Sequence, residues 1–253
     1  MCPRHDHASV RTPRDAGFGI GHSRRPRHVD TRRTVIALSG PVFGHHPSGE
    51  GPLESRPVST LFGRRVVLRP LVATDFSVWR DVRRRNAEWL TKWEPTRPPG
   101  APDVIEDREA FAIRCSARQR ERQLGSGYGF GIFVDGDFCG EINLSSVQRG
   151  PFQSGYVGYW IDETQAGKGF TPEALVVLSR YAFEELHLHR LQIAIIPRNA
   201  ASHRVVAKLG LRNEGTAVRY LEINGIWEDH VRYSLTSEEW AERRSEFYDA
   251  WIA

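Results

Sequence analysis

Ala166-Gly167-Lys168-Gly169-Phe170-Thr171-Pro172-Glu173-Ala174-Leu175 reads as a turn running into a helix. Two glycines permit positive φ and leave the backbone bare. Thr171 is a favoured N-cap residue and Pro172 suits the first helical position. Amide N–H groups ahead of a helix start form an anion site. The competing reading is an ordinary tight turn, and these residues alone leave both open. A Walker A loop is excluded, because Gly169 follows Lys168 where that loop needs Ser or Thr.

Working outward, 154–162 reads as an aromatic-rich strand before the turn, and 171–186 as the helix after it. An apolar strand at 190–196 follows, then a helix at 199–209 closed by Gly210. Strands at 217–223 and 227–235 are joined by the hairpin signal Asn224-Gly225, and a polar helix starts at Ser237. Upstream, strands at 128–134 and 138–147 flank Asp135-Gly136-Asp137. The helix predicted over 103–123 has acids early and arginines late, in keeping with its dipole. Another helix is predicted over 73–85, capped by Thr74 or Asp75, after a short strand within 64–70. Gly127-x-Gly129-x-Gly131 is no dinucleotide fingerprint, since no helix follows it; its glycines relieve crowding in a strand. The order gives one α/β or α+β domain over 58–253.

Composition is that of an ordinary globular chain, with 40% hydrophobic and 26% charged residues in 253. The net charge of +4 lies wholly in the first 50 residues, which hold eight arginines against four acids. The folded part is therefore neutral, and nucleic-acid binding is expected only through the basic tail, if at all. Residues 1–57, rich in Arg, His, Pro, Gly and Ser, read as a disordered extension. Three scattered cysteines give no disulfide framework and suit a reducing cytoplasm. No apolar run approaches the roughly 20 residues of a membrane span. The histidines show no metal-ligand spacing, so no metal is expected.

The sequence resembles the GCN5-related N-acetyltransferase (GNAT) family. The resemblance rests on Tyr156-Val157-Gly158-Tyr159-Trp160-Ile161, the 166–175 stretch, Pro197-Arg198-Asn199, Ser202, Lys208-Leu209-Gly210 and Glu214-Gly215. Tyr220-Leu221, Asn224-Gly225 and Trp227-Glu228-Asp229-His230 are similar to its branch that acetylates the terminal alanine of ribosomal proteins, as is Trp93-Glu94-Pro95. The likeness covers roughly 61–240. It implies a mixed, mostly antiparallel central sheet, splayed in the middle and flanked by helices. It also implies acetyl-CoA as cosubstrate, a protein N-terminal amine as acceptor, and a monomer or homodimer. Two departures stand out. Ala166 occupies a place where the family often has Gln or Arg, and Thr171 one where it often has a small residue. Lys168 is the substitute cation for the lost phosphate contact.

On that resemblance, Ala166, Gly167, Lys168, Gly169, Phe170 and Thr171 hold the diphosphate. The strand edge at Val157, Gly158, Tyr159 and Trp160 pairs with the pantetheine arm, and one of its N–H groups receives the developing oxyanion. Asn199 contacts the pantetheine and Ser202 stands near the sulfur as an acid; both also suit plain helix capping. Glu222 and Glu141 are the two candidate bases, and an ordinary solvated carboxylate is the competing reading of each. A dedicated base is not required, because an α-amine near pKa 7.7–8.0 is roughly one-tenth neutral at pH 7. Trp89, Trp93 and Glu94 line the acceptor groove, with core packing the competing reading for the indoles. Two rivals remain: a small-molecule amine as acceptor (amino sugar, polyamine or amino acid), and an acyl-CoA-binding module without turnover.

Overall fold

The structure, a computed structural model, describes residues 60–253. The basic extension at 1–57, its disorder and the domain boundary after it lie outside the described residues.

Eight strands form one sheet in the order β1-β2-β3-β4-β5-β6-β8-β7. They are β1 Leu61–Phe62, β2 Val66–Arg69, β3 Tyr128–Val134, β4 Asp137–Gln148, β5 Ser154–Ile161, β6 Arg190–Ile195, β7 Arg212–Ile223 and β8 Ile226–Thr236. Neighbours are antiparallel except β5 and β6, which run parallel and are joined by a long connection, 162–189, that carries a helix. The helices are α1 Phe76–Arg85, α2 Ala87–Thr91, α3 Arg108–Gln123, α4 Phe170–Arg180, α5 Ala200–Lys208 and α6 Ser237–Trp251. No described helix is long and apolar enough to cross a membrane.

Alternation along the strands builds a core on each face. Phe130 and Ile132 of β3 and Ile142 and Leu144 of β4 pack with Leu175 and Leu178 of α4. The opposite face buries Phe76, Trp79 and Val82 of α1, Phe111 of α3, and Phe133 and Phe138. Phe133 reaches this second core by alternation, and a register shift that leaves Cys139 of β4 unpaired brings Phe138 opposite it. Gly129 lies between Phe130 and Tyr128 because a Cβ there would sit 2.9 Å from Asn143 Oδ1, which supports the crowding reading of the glycine run.

Several helix starts differ from the sequence expectation, and side-chain partners explain why. Asp75 does not cap α1 through its side chain; its carboxylate instead binds Arg69 and the Val72 N–H. The α3 helix starts at Arg108, five residues later than expected, because Asp107 accepts from Glu109 N and Ala110 N. The helix after the quoted turn starts one residue earlier than Thr171, with Gly169 as its N-cap. Asn199 does cap α5, its Oδ1 accepting from Ser202 N at 3.1 Å.

One buried polar cluster locks α1 to the end of β5. Asp162, 1% exposed, accepts from Arg85, from Asn86 Nδ2 at 3.0 Å and from Thr164 N at 3.2 Å. Asn86 Oδ1 returns an acceptor to Glu163 N at 2.8 Å. Burial opposes the Asp162 charge, but Arg85, Asn86 and the Thr164 amide outweigh it and hold the carboxyl below its usual range. A depressed folded value means the stabilisation is complete above the unfolded value of about 3.9 and disappears as pH falls through the folded one. We expect Asp162→Asn to lose less stability than the parent between about pH 5 and pH 3. Denaturant melts across that range test this, and parallel acid limbs would refute it.

Candidate active site

The turn before α4 takes its shape from two left-handed glycines, Gly167 at φ +80 and Gly169 at φ +88. The N–H groups of Gly167, Lys168, Gly169, Phe170 and Thr171 make no hydrogen bond among the described residues. Pro172 follows with no N–H to lose, and the first helical bond is Glu173 N to Gly169 O. The result is a run of unspent donors at a helix N-terminus.

Glu173 fixes where that run points. Its carboxylate is 1% exposed and reaches back to β2, accepting from Arg65 N at 2.5 Å, Arg65 Nε at 2.8 Å and Val66 N at 2.9 Å. Arg65 also donates to Lys168 O at 3.1 Å. The loop is thus tied to the sheet from below while its amides face outward.

The sheet opens beside it. Pairing between β5 and β6 covers only Ser154, Gly155 and Tyr156 against Arg190, Leu191 and Gln192. Beyond that point β5 stays with β4 as far as Ile161, and β6 stays with β8 as far as Val231. The edge of β5 from Val157 to Ile161 therefore has no strand partner on the β6 side, the geometry that accepts an added extended chain.

Loop and open edge share one cleft of about 1180 Å³. Its lining includes Gly158, Tyr159, Trp160, Ala166, Gly167 and Gly169, then Phe170 and Thr171, then Asn199 and Ser202 from the start of α5. Trp89, Trp93, Glu94 and Glu141 line it from the other side. The Tyr159 hydroxyl donates to Ser202 O at 3.3 Å, and burial pushes this phenol well above the ordinary tyrosine range, so it stays protonated.

A family model described as an acetyltransferase (GNAT) domain matches residues 65–212. The chain belongs to the GNAT acetyltransferase family. It is 34% identical over 172 residues to the probable N-acetyltransferase YjcK of Bacillus subtilis, covering 67% of this chain and 93% of that one. It is 34% identical over 188 residues to the [ribosomal protein uS5]-alanine N-acetyltransferase of Escherichia coli, covering 71% and 92%. Among solved structures it resembles Mycobacterium smegmatis RimJ in complex with CoA-disulfide, with a TM-score of 0.69 and 31% identity over 76% of this chain and 93% of that one. The mixed sheet with its central splay is the GNAT fold expected from the resemblance.

In this acetyltransferase three of the singled-out residues stand outside the cleft lining. Val157 turns its side chain into the core at 5% exposure, leaving only its backbone on the open edge. Lys168 is not part of the lining and bonds Gln165 Oε1 at 2.8 Å. Glu222 is exposed on β7 opposite Trp227, on the hairpin rather than in the cleft.

Glu141 is in the cleft but is no solvated carboxylate. It is 3% exposed, with Oε1 accepting from Trp79 Nε1 at 2.7 Å and Oε2 from Arg114 at 2.5 Å. Glu94 is likewise engaged, by a two-bond pair with Arg83 at 2.7 Å each. Its charge is balanced by that pair. Trp89 and Trp93 are half-buried and flank Lys92, whose Nζ lies 5.3 and 5.4 Å from their ring centres. His230 bonds the Glu228 carbonyl at 2.9 Å.

The cation that sequence reasoning missed is Lys208. It lines the cleft, and its Nζ lies 3.8 Å from where a Cβ on Gly169 would stand. Among the described residues its partner is the Trp251 ring, 5.4 Å away. Ala201, Arg204 and Lys208 also line the cleft, at the three- and four-residue spacing of one helix face. That spacing was the available signal.

Proposed function

We propose that this acetyltransferase moves an acetyl group from acetyl-CoA to the N-terminal α-amine of a protein, a ribosomal protein on the likeness to its relatives. One observation carries the coenzyme half: five consecutive unspent amides, Gly167 to Thr171, stand at the mouth of a cleft that runs on to the open β5 edge. A diphosphate matches the amides, with Lys208 as the neutralising cation. The pantetheine arm matches the unpaired strand edge.

Direct attack in a ternary complex then follows. The amine nitrogen forms a bond to the thioester carbonyl, and a β5 N–H within Val157–Tyr159 holds the developing oxyanion. The C–S bond breaks as the carbonyl re-forms, and the proton lost by nitrogen passes to solvent. Ser202 donates a hydrogen bond to the departing sulfur, and the protonated Tyr159 phenol turns its one proton from the Ser202 carbonyl to the same atom as charge builds there, while Asn199 orients the arm from the start of α5. No carboxylate in the cleft is left free to serve as base, which suits an α-amine that is partly neutral at pH 7. The same pairing leaves nothing to hold the second ammonium of a polyamine. The cleft exceeds the roughly 300–1,000 Å³ typical of small-ligand pockets, room for a peptide beside the coenzyme arm.

Thioester consumption measured against peptide N-termini and small amines tests the reading. Turnover confined to amino sugars or amino acids would overturn the acceptor, and no turnover with any amine would overturn the enzyme role. Tyr159→Phe should lower kcat by about 10- to 100-fold, the weight of one hydrogen bond to a charged group, with coenzyme affinity unchanged. An unaltered kcat would remove the phenol from the mechanism.

A further inference from the structure

We infer that the acceptor half of this cleft selects a peptide carrying a carboxylate within its first few residues, and that Arg118 receives it. The inference rests on the N-terminal-amine reading above and adds the chemistry of the residues that follow the amine.

The first observation is charge. Every carboxylate lining this half is already matched by a guanidinium: Glu94 by Arg83 at 2.7 Å, Asp103 by Arg97 at 2.7 Å and Glu141 by Arg114 at 2.5 Å. Arg118 is the cation of this half whose carboxylate partner lies outside the lining, whereas Arg204 and Lys208 line the cleft from α5. Its partner Glu121 lies on the same helix at 2.9 Å, is not part of the lining, and both side chains are more than one-third exposed. Such an i,i+3 surface pair is weak and readily exchanged for a better-placed anion.

The second observation is the floor beneath Arg118. Gly129, Asn143 and Gly158 lie side by side across β3, β4 and β5. Two of the three have no side chain, and nothing stands within 4 Å of where a Cβ on Gly158 would project. Arg118 spans the Gly129 end, its Cδ and Nε 3.5 and 3.8 Å from that glycine's Cβ position. The floor is a trough with a guanidinium at one end and the open β5 edge at the other.

The third observation is an unmatched amide in the middle of that trough. Asn143 Oδ1 is buried and accepts no hydrogen bond, and its Nδ2 bonds no described protein atom. A buried unpaired carbonyl costs roughly 1–3 kcal/mol, so it calls for a donor. The accessible Nδ2 donates to the backbone C=O of a peptide lying in the trough, and turning the amide over presents Oδ1 to that peptide's N–H. With the amine over Gly158, the next side chains reach toward Arg118. The positive lining also disfavours the protonated amine, which favours the nucleophilic form.

The test uses the full chain, acetyl-CoA and heptapeptides that differ only at positions 2–4, which carry Glu, Gln or Lys. The Glu peptide should exceed the Lys peptide in kcat/KM by about 10- to 100-fold at low salt, less at high salt. Arg118→Gln should flatten that ratio, and Glu121→Gln, which frees Arg118, should sharpen it. Calorimetry with CoA checks that each variant is folded and binds coenzyme as the parent does. Equal kcat/KM for Glu and Lys peptides would overturn the inference and leave the N-terminal reading standing. Turnover of small amines with none of any peptide would instead overturn the N-terminal reading.

Discussion

Gly169→Pro should raise the dissociation constant for CoA by at least about 100-fold in calorimetry. Proline locks φ near −65°, whereas Gly169 sits at +88. It also deletes one of the five free N–H donors. A hydrogen bond to a charged group contributes about 1.5–3 kcal/mol, which alone is roughly 10- to 100-fold. Rotating the loop misdirects the neighbouring amides as well. Gly169→Ala is the companion, because it keeps the N–H. It should lose less, about 10-fold, from left-handed strain of roughly 1–2 kcal/mol and a Cβ placed 3.2 Å from Arg65 Nη2. Undiminished affinity in a folded Gly169→Pro protein would remove the diphosphate from this loop, and the proposed coenzyme half with it.

Glu173→Ala should lower the melting temperature by about 10 °C. Among the described residues the carboxylate is the acceptor for the N–H groups of Arg65 and Val66, and Val66 is fully buried. Removing it strands two backbone donors and leaves Arg65 without its ion pair. Each stranded donor costs about 1–3 kcal/mol, while the ion pair to the 43% exposed Arg65 adds little. At roughly 2–4 °C per kcal/mol for a domain of this size, a drop near 10 °C follows. Glu173→Gln should recover part of it, because its carbonyl still accepts from the two amides. A shift below about 2 °C for Glu173→Ala in a thermal melt would show that β2 is anchored by other means.

Much of the site was legible because its chemistry is local. Gly167 and Gly169 announce positive φ by residue type alone, and Asn199 announces a cap. Those signals need only neighbours in sequence. The Asn224-Gly225 turn and the alternation in β3 were legible for the same reason. The starts of α1, α3 and α4 were less so. Asp75 turned to Arg69 instead of its own helix, and Glu173 turned back to β2, partners 6 and 108 residues away.

The sequence by itself determined the mixed sheet, the turn with its bare amides and the family to which the chain belongs. The element order and the turn follow from periodicity and turn chemistry read along the chain, whereas the mixed sheet and the family were implied by the resemblance that the motif order carries. Only the tertiary structure decided which charged side chains are free. Glu141 and Glu94 look identical to any solvated acid in the sequence, yet each is held by an arginine brought to it by folding. Lys168 and Lys208 look equally suited to phosphate, yet only Lys208 stands on the cleft. Charge pairing is set by distances across elements far apart in sequence, and side-chain type carries no record of those distances.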